Sequence, residues 1–559
     1  MSTQLEQAIL LIVAKRPDTR ETFNAARQEA VSALHLTPPP TRALLEAYQN
    51  LLKKKSIKRD ERIEKFLRKA QVRSLSGIAV VTALVKPYMC PGKCVYCPTE
   101  IRMPKSYIAS EPAAARALRL DFSPYEQMRR RIETLEKNGH PTDKIEYIVK
   151  GGTWNAYPLK YQYWFVLESF RAANSLKHES IKTLKHCLNE DSPLEELQDA
   201  LEKEQRKNET TKHRIIGITL ETRPDAISPK TIYHMRQQGC TRVELGLQAP
   251  DDKILELIKR GHTVQQFRDA MFLLRQAGFK VDLHFMPDLP GTTPEHDVEM
   301  YQSLFSDEGL KPDMMKIYPN TVIPSAELYQ WYLDGRYKPY GEENLFNALL
   351  QMKLATPRYC RISRLIRDIP AHEIVAGNKI TNLREALMAE LKKRGQSCQC
   401  LRCREVGRNK EITKLGNEGK PRLFVESYET TGGTEYFLSF EDPQRIAVFA
   451  FLRLRLPHLT NLGNSENSEN LLHTLLPEIR DCAFIRELHT YGQQLSLGKH
   501  QDDAAQHKGL GKRLVEEAER IATQAGFKKM AVISGVGVRG YYRKLGYRKI
   551  GTYMVKTLH

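Results

Sequence analysis

The sequence predicts an α/β protein: a partial barrel of six strand–helix units, a smaller α/β domain after it and a helical basic region before it. Short apolar segments alternate with longer amphipathic segments between residues 77 and 319. Cysteines interrupt this alternation within residues 376–410. A second α/β pattern then runs from residue 415 to the end of the sequence.

The alternating region predicts parallel strands joined by helices through right-handed crossovers. Its helical stretches include residues 124–139 and 264–278. Six units are too few to close an eight-stranded barrel, so we expect the sheet to remain open. The predicted strands are residues 77–85, 145–153, 214–222, 242–248, 280–287 and 314–319.

These changes of pattern divide the 559 residues into four regions. We expect a helical basic region at 1–75, the partial barrel at 76–375, a cysteine-containing linker at 376–414 and the second α/β domain at 415–559. The charged stretch at 180–213 indicates a solvated helical insertion without chemistry.

The chain is basic: 86 Lys and Arg against 67 Asp and Glu give a net charge of +19. Residues 53–73 alone contribute +7, and Arg62, Lys65, Lys69 and Arg73 recur at helical spacing. Such a row of cations on one helix face suits contacts to phosphates, although a solvated helix face is the alternative. We therefore predict nucleic-acid binding by this segment.

The sequence carries no signal of export or membrane insertion. The apolar run at 9–14 is too short to span a bilayer and lacks the flanks of a signal peptide. Six of the ten cysteines form two clusters, which suits metal sites in a reducing compartment better than disulfides. We expect a cytoplasmic protein without membrane contact.

The first cysteine cluster, Cys90, Cys94 and Cys97, directly follows the first predicted strand. A zinc site would need a fourth ligand, yet the nearest histidine is His140 and the nearest further cysteine is Cys187. The spacing Cys-x3-Cys-x2-Cys resembles the signature of radical SAM enzymes. There three thiolates hold a 4Fe-4S cluster whose open iron binds S-adenosylmethionine. An incomplete zinc knuckle is the alternative.

Polar residues at the ends of the later strands support this interpretation. Parallel strands are normally apolar throughout, so polar side chains at the same end of several strands indicate a site, although each alone could be a salt-bridge or cap residue. In the radical SAM fold, the matching glycine-rich turn binds the methionine part of the cofactor. We assign cofactor binding to Gly151, Gly152, Thr153, Glu221, Arg223, Glu244 and Gln248, and catalysis to His284 and Lys316.

A glycine turn opens an amphipathic helix in the second domain and comprises Gln506, Gly509 and Gly511. Such a turn offers backbone N–H groups and a positive helix end to a pyrophosphate. With the strand at 529–536, this order resembles the acyl-CoA site of the Gcn5-related acetyltransferase fold. Tyr542, or alternatively Tyr541, is the residue expected to face the CoA sulfur. A plain strand–turn–helix is the alternative.

The second cysteine cluster, Cys398, Cys400 and Cys403, lies between the two domains. Its spacing indicates structural zinc, with Cys360 as a candidate fourth thiolate. Reduced cysteines without a metal are the alternative.

Many further phrases resemble the catalytic subunits of Elongator, and the chain is similar to prokaryotic members of that family. The resemblance covers residues 70–559 and includes CPGKCVYCP, ITLETRPD, HFMPDLPG, RELHTYG and QHKGLG. It implies a tRNA-modifying enzyme that carboxymethylates C5 of the wobble uridine in the anticodon region, with acetyl-CoA as carbon donor. It also implies Elongator-like partner subunits, or a homo-oligomer in their place.

The resemblance assigns further residues. Cys90, Cys94 and Cys97 match cluster ligands, and Lys144 matches a barrel lysine that contacts acetyl-CoA. The acetyl-CoA contacts in the second domain match Glu487, Leu488, His489, Thr490, Leu510, Gly511, Lys512 and Tyr542. A 5′-deoxyadenosyl radical would take hydrogen from the acetyl methyl group, and the resulting carbon radical would add to the uracil. A protein lysine acetyltransferase and a non-catalytic tRNA-binding scaffold are the competing functions.

Overall fold

The computed structural model describes residues 2–68, 76–175, 188–408, 421–458, 468–491 and 509–559. The N-terminal part is a small helical unit with its own core, in which Phe23, Tyr48 and Leu51 are buried. A capping box of Thr19 and Thr22 starts its second helix. Its helices are α1 Ser2–Ala14, α2 Arg20–Ala33, α3 Thr41–Lys53 and α4 Glu61–Leu67.

The helix face predicted for Arg62, Lys65, Lys69 and Arg73 is interrupted, because the helix that carries Arg62 and Lys65 ends at Leu67. Helix α3 ends at Lys53, and the Asp60 carboxylate caps a new helix that ends at Leu67. Arg68 is extended, and its Nε donates to the Gly139 carbonyl 2.9 Å away. This contact turns the chain toward the barrel. Lys69 and Arg73 lie outside the described residues.

The barrel region confirms the predicted fold class and adds one strand. Seven parallel strands form an open sheet in the order β1-β2-β3-β4-β5-β6-β8. The additional edge strand is only four residues long and has no apolar run, which is why its sequence carries little signal. The strands are β1 Ala79–Leu84, β2 Lys144–Lys150, β3 Arg214–Thr222, β4 Cys240–Gln248, β5 Lys280–Phe285, β6 Met314–Ile317, β7 Thr321–Val322, β8 Arg361–Arg364 and β9 Ala376–Gly377.

Helices cover the outside of this sheet and bury its apolar outer face. The interior carries polar side chains instead, so it is a cavity rather than a packed core. The helices are α5 Pro112–Leu118, α6 Pro124–Lys137, α7 Leu159–Asn174, α8 Leu194–Asn208, α9 Pro229–Gln237, α10 Asp252–Leu257, α11 Val264–Gln276, α12 Pro294–Ser306, α13 Leu328–Leu333, α14 Glu342–Ala355 and α15 Leu383–Lys393.

The second domain is a seven-stranded sheet in the order β10-β11-β12-β13-β14-β16-β15, with only β13 and β14 parallel among neighbouring strands. Its strands are β10 Arg422–Thr430, β11 Gly433–Glu441, β12 Val448–Pro457, β13 Cys482–Thr490, β14 Lys529–Val532, β15 Arg548–Ile550 and β16 Tyr553–Thr557. Its helices are α16 Ser468–Leu475, α17 Leu510–Gln524 and α18 Arg539–Arg543.

This domain covers the amino ends of the barrel strands. Gly535 packs so closely that a β-carbon there would lie 1.9 Å from the Ile216 carbonyl oxygen, so no larger residue fits without displacing backbone. The charged insertion takes part in the same contact, because Glu209, after α8, pairs with Arg539 at 3.2 Å and with Arg543 at 2.6 Å. The insertion therefore helps to fix the two domains against each other.

Buried ion pairs complete the contact between the domains. Asp313, just before β6, pairs with Arg486 of β13, and Glu435 of β11 accepts from Arg275 at 2.9 Å and from Arg455 at 3.1 Å. Burial would raise the Asp313 pKa, but the surrounding arginines lower it far below its usual range. Removing one member would leave an uncompensated buried charge, so the cluster stabilises the docked arrangement.

Among the described residues, we find no helix with the length and apolar character needed to cross a bilayer.

Candidate active site

A single cavity of about 1060 Å³ fills the barrel interior and extends to the second domain. Cys90, Cys94 and Cys97 line it at the carboxyl ends of the strands, whereas Leu488 and Tyr542 line it from the acetyltransferase-like domain. The two motifs that lie furthest apart in the sequence therefore share one internal space.

The loop with the first three cysteines follows β1 and is held by its own backbone. The Cys97 amide donates to the Cys94 carbonyl at 3.1 Å, and the Gly92 amide lies 3.4 Å from the Cys90 sulfur. The Val95 amide donates to the Ile258 carbonyl at 3.1 Å, which attaches the loop to the end of α10. The loop conformation is thus fixed by hydrogen bonds around the thiols.

The separation of these sulfurs bears on the metal they could hold. All three cysteines are described residues, yet their Sγ atoms do not all lie within 4.8 Å of one another. Thiolates on one zinc ion lie about 3.8 Å apart, since each Zn–S bond is about 2.3 Å. A 4Fe-4S cluster binds each thiolate at a different iron and so needs a wider spacing. The loop therefore lacks the close sulfur spacing that a single zinc ion requires, and an iron–sulfur cluster does not need that spacing.

Two buried arginines stand beside the cysteine loop. Arg260 Nη1 lies 3.5 Å from the Cys94 sulfur, and Arg223 Nη1 donates to the Arg260 carbonyl at 2.9 Å. Burial would raise the Cys94 pKa, but the Arg260 charge outweighs it and the pKa is lowered. By contrast, burial raises the Cys97 pKa to about 12. Arg260 was not among the predicted site residues, because it lies in the loop after α10, where neither strand periodicity nor ligand spacing marks it.

The glycine turn after β2 meets the cysteine loop. A β-carbon at Gly151 would lie 2.0 Å from Val85 Cγ2, so only glycine permits this close approach. Thr153 Oγ1 lies 3.6 Å from the Cys90 sulfur. The structure thus brings together Gly151, Gly152, Thr153 and the cysteines, as a cofactor bound between them would require.

A cluster of five charged or titratable residues lies inside the barrel. Its members come from five different strands and are Lys150, Glu221, Glu244, His284 and Lys316, which we call the interior ion cluster. The ammonium groups of Lys150 and Lys316 both contact Oε2 of Glu244, and His284 Nε2 lies 3.4 Å from the same oxygen. Lys150 also lies 3.7 Å from Glu221.

The cluster sets the protonation of its members. Burial would raise the Glu244 pKa, but Lys150 and Lys316 outweigh it and hold the pKa well below its usual range. Burial lowers the Lys316 pKa to about 8, and it also lowers the pKa of His284. Of the two lysines of this cluster, Lys316 is therefore the one that can exchange a proton near neutral pH.

Two features of this cluster were not foreseen. Lys150 was not named as a site residue, although it directly precedes the glycine turn.

Glu221, Glu244 and His284 lie close enough together to hold a metal ion, but two lysines already compensate the carboxylates. Tyr107 OH also donates to Glu221 at 2.9 Å. We therefore interpret the group as a polar ligand site and not as a metal site.

In the second domain, Gly509 adopts a left-handed conformation with φ 90° and starts helix α17. A β-carbon at Gly511 would lie 3.0 Å from the Tyr541 hydroxyl and 3.4 Å from Thr490 Oγ1. The start of the helix, including buried Leu510, is thus placed against the end of β13. Gln506 lies outside the described residues. Lys512 is exposed and pairs with Glu516 at 3.5 Å.

The two candidate tyrosines occupy different environments. Tyr542 is buried and lines the shared cavity, and burial raises its pKa. Tyr541 is 38% exposed and has its hydroxyl at the start of α17. Tyr542 is therefore the one that faces the barrel, while Tyr541 lies beside the glycine turn.

The remaining residues expected to contact acetyl-CoA lie at the boundary between the domains. Glu487 pairs with Arg453 at 2.9 Å and with Lys280 at 3.5 Å; burial would raise its pKa, but these cations lower it to about 2. His489 Nε2 lies 3.2 Å from the Ser76 carbonyl oxygen. Lys144 begins β2 at the end of the sheet that faces the second domain, and burial lowers its pKa.

The second cysteine cluster has a different geometry. The Sγ atoms of Cys398, Cys400 and Cys403 all lie within 4.8 Å of one another. Cys360 does not belong to this group; its carbonyl oxygen accepts from the Leu401 amide at 2.9 Å. Buried Lys353 places its Nζ 3.8 Å from the Cys403 sulfur. Three sulfurs at this spacing fit a single metal ion.

The fold and the cysteine loop define a radical SAM enzyme with an acetyltransferase-like domain. The Radical SAM superfamily model matches residues 84–304, and the Radical SAM C-terminal domain matches residues 312–393. The acetyltransferase (GNAT) family model matches residues 501–547.

Relatives along most of the chain define the family more narrowly. The tRNA uridine(34) acetyltransferase of Methanocaldococcus infernus is 43% identical over 88% of this chain and 88% of its own length. Elongator complex protein 3 of Danio rerio is 36% identical over 88% of this chain and 86% of its own length. The solved archaeal Methanocaldococcus infernus Elp3 with an N-terminal deletion superimposes with a TM-score of 0.70 at 39% identity, covering 86% of this chain and all of that one.

The chain therefore belongs to the family of tRNA uridine(34) acetyltransferases and Elongator complex protein 3. It is a radical SAM enzyme of the acyltransferase class.

Proposed function

We propose that this protein carboxymethylates C5 of the wobble uridine of tRNA, with acetyl-CoA as the carbon donor. With a 4Fe-4S cluster and S-adenosylmethionine bound, the site would supply a 5′-deoxyadenosyl radical that removes hydrogen from the acetyl methyl group. The relatives whose names specify tRNA uridine(34) support this substrate.

The observation that carries the proposal is the shared cavity. Hydrogen abstraction requires the acetyl methyl group to reach the cofactor at the cysteine loop, although the acyl-CoA fold lies in the other domain. The cavity joins Tyr542 and Leu488 to Cys90 and Cys94 through the barrel. A lysine acetyltransferase would have no use for this connection.

Different residues of the chain would bind the cluster, S-adenosylmethionine and acetyl-CoA. Cys90, Cys94 and Cys97 would hold the cluster, and the Gly151–Thr153 turn would approach the methionine part of S-adenosylmethionine. With Glu221, Arg223, Glu244 and Gln248 nearby, the strand ends offer both charges and neutral acceptors. The start of α17 would bind the pyrophosphate of acetyl-CoA through backbone N–H groups.

Once the new carbon–carbon bond has formed, the uracil radical must lose one electron, for which the iron–sulfur cluster would be the acceptor, and the proton from C5. Water must then hydrolyse the thioester, which releases CoA and leaves the carboxymethyl group. Lys316 and His284 line the cavity and are the candidate acid–base groups. With its pKa lowered to about 8, Lys316 has a neutral fraction available at neutral pH to accept this proton.

Acetyl-CoA with a deuterated methyl group tests the proposal. In an anaerobic reaction with tRNA and S-adenosylmethionine, we expect deuterium in 5′-deoxyadenosine and a carboxymethyl group on the uridine, both measured by mass spectrometry. A lysine acetyltransferase would retain all the deuterium in the transferred acetyl group. Deuterium-free 5′-deoxyadenosine alongside modified tRNA would contradict the proposed carbon donor.

The variant Tyr542→Ala separates the two half-sites. We expect weaker acetyl-CoA binding by calorimetry, because the variant opens the wall between the cavity and the acyl-CoA fold. The iron content should match that of the wild type, since the cysteine loop belongs to the other domain. Loss of iron in this variant would contradict a separately built acyl-CoA site.

We further propose that the exposed basic segment binds tRNA phosphates. The affinity for tRNA should fall linearly with salt on a log–log plot, and the slope should flatten when Lys53, Lys55 and Lys58 are replaced by Gln, with each lost phosphate contact changing it by about 0.7 to 0.9. Replacing Lys203, Lys207 and Lys212, which are also exposed but lie outside the basic segment, is the matched control. Equal slopes in both variants would exclude the segment from the interface.

A structural zinc at Cys398, Cys400 and Cys403 is also proposed. The support is their mutual spacing, which suits one tetrahedral ion better than a multi-iron cluster. The proposal assigns three ligands only, because Cys360 does not belong to the group of sulfurs that lie close together. Elongator-like subunits or a second copy of the chain are the proposed protein partners.

A further inference from the structure

The interior ion cluster leaves one oxygen of a buried carboxylate without a partner. The contacts of Lys150, Lys316 and His284 with Glu244 all converge on Oε2. Oε1 accepts no hydrogen bond from any described residue, although Glu244 is 0% exposed. A buried acceptor without a donor is costly, so it indicates a ligand that supplies one.

The charges of the cluster restrict what that ligand can be. Two lysines balance Glu221 and Glu244, so neither ammonium carries uncompensated charge. The negative charge of Glu244 would repel a phosphate or a carboxylate. A cation would compete with both lysines for the same carboxylate. The cluster therefore suits a neutral ligand with an N–H or O–H donor.

The groups of the cluster specify the ligand further. Lys150 and Lys316 are two N–H donors beside the Glu244 carboxylate, and Oε1 of that carboxylate is a free acceptor. The Watson–Crick edge of uracil has the complementary set of groups, because O2 and O4 accept while N3–H donates. Cytosine presents an unprotonated N3 acceptor at the same place, which would face Oε1 without a proton between them.

We propose that Glu244 Oε1 accepts the N3–H of the target uracil, with Lys150 and Lys316 donating to its two carbonyl oxygens. This inference rests on the proposed tRNA uridine function and assigns the residues that select the base. The base would enter the barrel flipped out of its stack, as enzymes acting on single bases require. The cluster lies in the cavity between the cysteine loop and the acetyltransferase-like domain, where both cofactors could reach the base.

The pattern predicts a measurable preference. A good set of base contacts discriminates against the wrong base by about 1–3 kcal/mol, or about 10- to 100-fold in affinity. N3-methyluridine provides the sharpest probe, because it keeps both carbonyl oxygens and loses only the donor.

The experiment compares three anticodon stem–loop RNAs that differ only at position 34: uridine, cytidine and N3-methyluridine. Dissociation constants are measured anaerobically with the cluster-loaded protein and S-adenosylmethionine, without acetyl-CoA, so that binding is separate from product formation. For the wild type we expect uridine to bind about 10- to 100-fold more tightly than both others. Equal affinity for uridine and N3-methyluridine would overturn the proposal without any variant.

Glu244→Gln tests the residue itself. Its amide can present N–H to cytosine, so the preference for uridine over cytidine should fall by about tenfold or more. Glu146→Gln is the matched control, because that buried carboxylate of β2 lines the same cavity but pairs with Arg242 at 2.9 Å, outside the ion cluster, and should not alter the preference. Thermal unfolding of both variants shows whether they fold. A preserved preference in folded Glu244→Gln would overturn the assignment.

Two alternatives give distinct results. If Glu244 instead accepts from a ribose hydroxyl of S-adenosylmethionine, Glu244→Gln will weaken cofactor binding and leave the base preference unchanged. If the proposed tRNA function is wrong, the wild-type protein will form no carboxymethyluridine. If the wild-type protein forms carboxymethyluridine but the preference for uridine does not depend on Glu244, only the assignment of Glu244 is overturned and the proposed function stands.

Discussion

The two cysteine clusters look alike in sequence but differ in the structure. Cys90, Cys94 and Cys97 occupy eight positions, and Cys398–Cys403 occupy six. The first three sulfurs are spread around a loop that opens into the cavity, whereas the other three lie within 4.8 Å of one another. In each cluster a buried cation lies within 4 Å of a sulfur: Arg260 Nη1 is 3.5 Å from Cys94 and Lys353 Nζ is 3.8 Å from Cys403.

Two groups of three cysteines are therefore not equivalent as candidate metal sites. Their sulfur separations differ, and a single ion would draw its ligands together while a cluster would spread them over several irons. Access matters as well. The first loop lines a large cavity, as a reactive site must, while Cys398 and Cys400 are buried between domains.

The largest expected effect comes from breaking the first cluster. Cys94→Ala should reduce 5′-deoxyadenosine formation to background and lower the iron content, because a cluster ligand is lost. Acetyl-CoA binding should persist, since its fold lies in the other domain. Efficient tRNA carboxymethylation by this variant would contradict the assignment.

The second cluster should affect stability instead. A protein with Cys400→Ser and Cys403→Ser should lose zinc and unfold at a temperature lower by about 5 °C or more, because a structural metal contributes folding free energy. Its iron content and visible absorption should remain close to wild type. Metal analysis of anaerobically prepared native protein must show zinc; zinc-free native protein with the same unfolding temperature as the variant would favour plain reduced cysteines.

The neighbouring cations should give the smallest effects and sharpen the distinction. Arg260→Met should lower the rate of S-adenosylmethionine cleavage by about 10- to 100-fold, as loss of an outer-shell partner commonly does. Lys353→Met should leave that rate unchanged and weaken zinc retention against a chelator by about tenfold. Equal effects of both variants on cleavage would mean that the two clusters are not functionally separate.

The interior ion cluster shows how far the strand-end residues could be predicted. Glu221, Glu244, His284 and Lys316 stood out because parallel strands seldom carry charges, and the structure brings all four together. Lys150 was not predicted as a site residue, because the glycines that follow it indicated a role for the backbone at this strand end and not for a side chain. Arg260 lies after α10, where strand periodicity gives no information.

In the basic N-terminal segment, by contrast, the sequence pattern did not predict where the helix ends. The spacing of Arg62, Lys65, Lys69 and Arg73 predicted one helix face, but the helix that Asp60 caps ends at Leu67, and extended Arg68 contacts Gly139 instead. Helical periodicity reports only which residues could share a face. A short local cap and one distant hydrogen bond decide where the helix begins and ends.

The sequence by itself determined the fold class, the six central strands and the two chemical motifs, because periodicity and ligand spacing are local properties. Only the tertiary structure decided that both motifs open into one cavity, that the two cysteine clusters differ in sulfur separation and that Lys150 joins Glu244. These features depend on distances between side chains far apart in the sequence. Such distances are set by how the sheet curves and how the second domain packs against it, which no local pattern encodes.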